Sequence, residues 1–185
     1  MPLSEPAERE PVQTRTIEVS SFRRRDGLWD VEGRLVDIAA HSFPDYAGGM
    51  VRAGTPIHDM RIRLTLNAQT EIVAVDVSMD AHPYPVCPGI VPAFQRLEGV
   101  RIGRGWNRRV REMFGGVNGC VHLVDLLAPV GTIGFKTVQR ESGQDDRRPA
   151  EKRDDKPYQV NSCHALASDG ELVRNRWPEL YTGSS

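Results

Sequence analysis

The chain has 185 residues, 39% of them hydrophobic, with 24 Lys and Arg set against 25 Asp and Glu. That length suits one domain with a proper core and is short for two, and so even a charge balance excludes a general attraction to nucleic acid or anionic membranes. No apolar run approaches the ~20 residues of a bilayer span, and MPLSEPAEREPVQ lacks the basic start and apolar stretch of a secretory signal, so the expected location is the cytoplasm.

Residues 1–13 hold three prolines and three glutamates, which predicts a disordered arm. From Thr14, Ile17 and Val19 alternate with Thr16 and Glu18, the period of a strand with one wet face. A charged turn, Arg23 to Gly27, leads to Trp29, Val31, Gly33 and Leu35, alternating with Asp30, Glu32 and Arg34; this is a second strand. His41 to Pro56, with three glycines and two prolines, reads as a long loop. Met60, Ile62, Leu64 and Leu66 give the clearest strand. Asn67 to Thr70 turns the chain, and Ile72 to Met79 returns. The expected fold class is α+β: a four-stranded antiparallel meander followed by helices packed on one face.

After the proline-rich segment Asp80 to Pro88 the period changes. Ile90, Val91, Phe94 and Leu97 are spaced as on a helix that ends at Gly99. Asn107 to Phe114 predicts a second helix with Asn107 as its N-cap. A third begins near Cys120 and carries Leu123, Val124 and Leu127, with Pro129 expected to kink or divide it. The core domain is thus expected over residues 14–139. Residues 140–157 are charged and polar with mixed signs, which predicts a disordered linker, and residues 158–185 regain enough apolar content to pack back on the core.

Three cysteines, Cys87, Cys120 and Cys163, are too few and too odd for a disulfide framework. His58-Asp59 opens the third strand, and adjacent strand residues face opposite ways, so one of the two can point into a site; the pair also reads as a solvated strand end. Asp80-Ala81-His82-Pro83-Tyr84-Pro85 holds polar side chains on a proline-stiffened backbone. That suits acid–base work and equally suits a plain connector. Gly115 to His122 is a glycine-rich loop entering a helix, where a thiol ionises more readily. It lacks the ending of a phosphate-binding P-loop. Cys120 and His122 lie about 200° apart on a regular helix and share a ligand only if the first turn is irregular. The arginines 23–25 and 108, 109 and 111 read as a turn and a wet helix face.

Several groups of residues then carry a family likeness. They are Arg24-Arg25-Asp26-Gly27-Leu28-Trp29-Asp30-Val31-Glu32-Gly33, Pro56-Ile57-His58-Asp59-Met60, Asp80-Ala81 with Pro83-Tyr84-Pro85 and Cys87, Gly105-Trp106, Gly119-Cys120 with His122-Leu123, and Cys163-His164-Ala165-Leu166 with Asp169-Gly170. Together they resemble the bacterial family catalogued as domain of unknown function 2889, from about Thr14 to Tyr181. Some of its members resemble γ-formaldehyde lyases of lignin-derived dimers. That resemblance implies a cofactor-free, metal-free carbon–carbon lyase acting on a small aromatic substrate, with no nucleic-acid or membrane partner and self-association into a homo-oligomer left open. It implies acid–base groups drawn from His58, Asp59, Asp80, Tyr84 and His122, and substrate contacts from Arg25, Trp29, Trp106 and Cys120. A weaker likeness in architecture is to iron–sulfur scaffold proteins, which gather Cys, Asp and His from three such places. It keeps a Zn or Fe site as one alternative, beside a non-catalytic protein that binds aromatic ligands.

Overall fold

The computed structural model describes residues 2–142 and 159–183, and the contacts divide the chain into two compact units at Ser142. In the first, β1 (Gln13–Arg23), β2 (Trp29–Ala39), β5 (Pro56–Leu66) and β6 (Ile72–Ala81) form a four-stranded antiparallel sheet in the order β1-β2-β5-β6. The expected meander is what the chain builds. The segment expected to be a plain loop adds a short ladder of its own, β3 (Phe43–Pro44) against β4 (Met50–Val51), before β5 begins.

Alternation sorts the two faces. Across the rungs Trp29↔Leu66, Val31↔Leu64 and Leu35↔Met60 the side chains face inward and are buried. The intervening residues, Glu32, Arg34, Arg61 and Arg63 among them, form a charged outer face. Arg63 bonds Glu32 there at 2.7 Å, and Arg34 takes Asp59 in a fork at 2.8 and 2.6 Å.

Three helical segments cover the inner face. Cys87–Leu97 is a 3₁₀ helix, not the α-helix that its apolar spacing suggests; Pro88 and Pro92 lie within it and withhold two backbone donors. It buries Phe94 and Leu97. Next comes α1 (Trp106–Phe114), which opens at Gly105 and not at the expected cap Asn107. Last comes α2 (Val121–Glu141), which buries Leu123, Leu126, Leu127, Val130 and Val138 against the sheet. Pro129 neither ends nor divides it. Buried Leu126 and Leu127 before the proline and Val130 after it anchor the helix on both sides, which offsets the one missing hydrogen bond. Contrary to the expectation that no run approaches a bilayer span, α2 has 21 residues and a stretch of mean hydropathy 1.3, long and apolar enough to cross a bilayer by length and composition; here its apolar side lies on the sheet.

Helix α2 reaches Glu141, so residues 140 and 141, expected in the linker, are helical; the rest of that linker, 143–157, lies outside the described residues. In the second unit Val160, Val173 and Trp177 bury one another, with Leu166 and Leu180 packed against them. This small core is built on α3 (Glu171–Arg176).

Candidate functional site

At one end of the sheet the inner-face row stops being apolar. The rungs Arg15↔Asp37 and Asp37↔His58 continue the series that carries Leu35 and Met60, so Arg15, Asp37 and His58 stand side by side across three strands. The start of α2 brings His122 over them.

Asp37 is fully buried and its carboxylate is well supplied. Arg15 donates from Nε to Oδ1 at 2.7 Å and from a terminal nitrogen to Oδ2 at 2.8 Å, and also reaches Asp125 at 3.1 Å. His58 Nδ1 lies 3.0 Å from Asp37 Oδ2 and His122 Nε2 lies 3.7 Å from the same oxygen. The two imidazoles stack, with ring centroids 3.7 Å apart and planes tilted by 32°. Their side chains keep 13% and 18% of their exposure, so both rings can still be reached from solvent.

The charges follow from this packing. The Arg15 guanidinium, above all, holds the Asp37 carboxyl below the usual carboxylate range. Burial lowers the pKa of His58, only partly opposed by Asp37, and burial followed by the neighbouring His58 lowers that of His122. Both rings are therefore neutral at pH 7. With Asp37 ionised, the proton of neutral His58 sits on Nδ1 and faces Oδ2, which leaves Nε2 as an acceptor.

Cys120 belongs to the same group. Its Sγ is 3.9 Å from His122 Nδ1 and 3.8 Å from Met60 Sδ. Spacing on a regular helix would have kept Cys120 and His122 apart. They meet because Cys120 is the N-cap of α2 and its backbone is extended (φ −113°, ψ 125°), so the helical 100° step does not yet apply.

The other expected site residues lie elsewhere. Asp59 points to the outer face, where Arg34 holds its carboxyl below the usual range. Asp80 pairs there with Arg61 at 3.1 Å. The alternation that turns His58 inward turns both of these away. Arg34, Arg61 and Arg63 help line an open cavity of about 530 Å³ on that face. Arg25 is exposed in the first turn. Trp29 is buried in the core opposite Leu66, about 27 Å along β2 from Asp37 at 3.4 Å per residue. Trp106 is buried too, and its Nε1 donates to the Leu127 carbonyl at 2.9 Å. Both indoles are packed within the core. Tyr84 is exposed, with its ring 5.3 Å from that of Tyr46. The loop carrying Tyr46 and the connector carrying Tyr84 both join the sheet at its Asp37–His58 end.

Two members of the cluster, Arg15 and Asp37, are missing from the sequence expectations. The signal that could have found them is register. Continuing the buried series Val31, Gly33, Leu35 by one step gives Asp37, and a carboxylate at a core position needs partners.

All of these residues lie within the segment matched by one family, described as Protein of unknown function (DUF2889), over residues 13–136. The chain belongs to that family. The DUF2889 match covers the sheet, α1 and most of α2, and it ends before the Cys163-His164 motif. No curated protein and no solved structure matches the chain.

Proposed function

We propose that the Asp37–His58–His122 cluster is the acid–base centre of a carbon–carbon lyase that acts on a small lignin-derived phenolic compound and releases formaldehyde. The observation that carries the chemistry is the His58 Nδ1–Asp37 Oδ2 contact of 3.0 Å, made by a buried carboxylate to a half-buried, neutral imidazole. Such a carboxylate fixes the tautomer and orientation of the ring and stabilises the cation formed when the ring takes a proton. The substrate class comes from the family resemblance alone.

On this reading His122 takes the proton of a phenol and passes it to the benzylic oxygen, whose C–O bond breaks so that the oxygen leaves as a hydroxyl, and a quinone methide forms. His58 Nε2 then takes the proton of the γ-hydroxyl. The Cβ–Cγ bond breaks, formaldehyde leaves, and its electron pair re-forms the aromatic phenolate of a stilbene. His122 is the second proton carrier, and exposed Tyr46 and Tyr84 offer aromatic faces at the same end of the sheet. Incubation with a panel of phenylcoumaran and diarylpropane dimers, with assays of formaldehyde and stilbene absorbance, tests this. His58→Ala should lower the rate by about 10²–10⁴-fold, and Asp59→Ala, on the other face, should leave it unchanged. No product from any dimer rejects the lyase.

One observation favours a second reading, a Zn or Fe site: one ligand atom each from Asp37, His58 and His122 lie within 4.8 Å of one another. The Arg15 fork already occupies both oxygens of Asp37 and sets a guanidinium beside the cation's place, which weighs against it. Elemental analysis of protein purified without chelator separates the two. One metal per chain, lost in His122→Ala, would establish the metal site.

A further inference from the structure

The opposite end of the sheet is built differently. Thr70, at the turn between β5 and β6, is buried; its Oγ1 donates to the Ile102 carbonyl at 2.8 Å and its own carbonyl accepts from Ile102 N at 2.9 Å. Ile72 N bonds the Val100 carbonyl at 3.0 Å. These bonds clamp residues 100–102 to the sheet edge and fix where the neighbouring side chains project. Arg101, Arg104 and Arg109 then line an open cavity of about 380 Å³, together with Ile102, Trp106 and Phe135 on its apolar side. That volume is within the roughly 300–1,000 Å³ of small-molecule sites.

Among the described residues no carboxylate lies within 4.0 Å of the arginines around this cavity, although Glu71 is the backbone bridge partner of Arg101. Arg15, Arg24, Arg34, Arg61, Arg63 and Arg108 each meet a carboxylate within 4.0 Å. Arg101, Arg104 and Arg109 meet none among the described residues. Three like charges around one concavity repel one another, and an occupant with two negative charges and several acceptor oxygens would relieve that. Two further features suit the same occupant. Gly105, at φ 85°, opens α1 beside the cavity without a side-chain cap, so the positive end of the helix stays open. The indole of Trp106 is locked by its bond to Leu127 and gives the wall a fixed shape. Phe135 lies thirteen positions along α2 from His122, about 20 Å away, so this place is separate from the histidine cluster.

We propose that the cavity binds a small phosphate monoester, its phosphate held by Arg101, Arg104 and Arg109 and its apolar or aromatic body lying against Trp106 and Phe135. The guanidinium fork matches phosphate oxygens in pairs.

Calorimetric titration of the full chain at low ionic strength, with phenyl phosphate, inorganic phosphate and benzoate as probes, tests this. Phenyl phosphate should bind saturably and more tightly than the other two. Arg104→Gln and Arg109→Gln, both at exposed positions, should each weaken it about tenfold or more, whereas Arg63→Gln on the outer face should leave it unchanged. No saturable binding of phenyl phosphate in the millimolar range overturns the site. Equal loss in Arg63→Gln overturns it as well, since general electrostatics would then explain the binding. Benzoate or inorganic phosphate binding as tightly as phenyl phosphate overturns the assignment of a monoester.

Discussion

Replacing Asp37 by alanine removes the acceptor of three hydrogen bonds, two from Arg15 at 2.7 and 2.8 Å and one from His58 at 3.0 Å. Counting each bond to a charged group at about 1.5–3 kcal/mol would give about 4.5–9 kcal/mol in sum, and that sum overstates the effect. The Arg15 side chain is 36% exposed and keeps Asp125, so water replaces most of what it loses and its share falls to about 0–1 kcal/mol, the range of surface pairs. His58 is more enclosed and has no other carboxylate partner among the described residues, so its bond keeps its full weight. Removing the carboxylate also removes the cost of burying it, which offsets part of the loss. About 2 kcal/mol of destabilisation remains, or about 4–8 °C in Tm for a chain of this length. Thermal unfolding at pH 8 followed by circular dichroism measures it. In parallel, NMR titration should find the His58 pKa lower in Asp37→Ala than in the parent, because Asp37 is the group that raises it. A Tm shift under about 1 °C together with an unmoved His58 titration would refute the reasoning.

The histidine cluster sets the sign of one pH dependence. Both rings titrate below the ordinary value of about 6.5, so on acidification the unfolded chain takes up protons first; stability should fall as pH drops below that value and level off beneath the folded pKa values. A second loss, below about pH 4, should follow as Asp37 and Asp59, held low by Arg15 and Arg34, are finally protonated; urea midpoints across pH 3–8 check both, and a midpoint flat between pH 7 and 5 contradicts the first. Gly131→Ala would drive a methyl into the indole of Trp106 and strain its bond to Leu127, so urea denaturation should show a loss of about 1–3 kcal/mol. Trp29 Nε1 is buried without a hydrogen-bond partner among the described residues, so Trp29→Phe should stay within about 1 kcal/mol of the parent. Trp106→Phe, which gives up a made bond, should lose more by the same assay.

The sheet was legible because one of its faces is wet. Met60, Ile62, Leu64 and Leu66 alternate with Arg61, Arg63 and Thr65, and only a strand satisfies that pattern. The same alternation says that one of His58 and Asp59 faces inward, and the buried Met60 two steps on identifies it as His58. Asp37 was harder to see, since a strand read from its apolar residues stops at Leu35, and a polar residue that continues the inner register looks like the strand's end. The irregular start of α2 was equally hidden. Whether Cys120 lies inside or just outside the first turn decides if it meets His122, and the glycines before it allow either. Pro129 misled as to division of the helix because its local penalty is visible in sequence, whereas the burial of Leu126, Leu127 and Val130 that outweighs it is a property of the assembled layers.

The row Arg15–Asp37–His58 joins residues 22 and 21 positions apart, and Arg15 reaches Asp125 across 110. None of these groups meets another within a hairpin turn or a helical turn. The Arg15–Asp37 rung forms only when the β1–β2 ladder has paired almost to its far end, Asp37–His58 needs β5 across a longer loop, and Asp125 and His122 arrive only with α2, so the cluster depends on β1, β2, β5 and the start of α2 docking together. Chemistry or binding at these histidines thus reports on the tertiary assembly as a whole. A peptide fragment ending before Cys120, however well its strands pair, would hold Asp37 and His58 without the second ring that covers them.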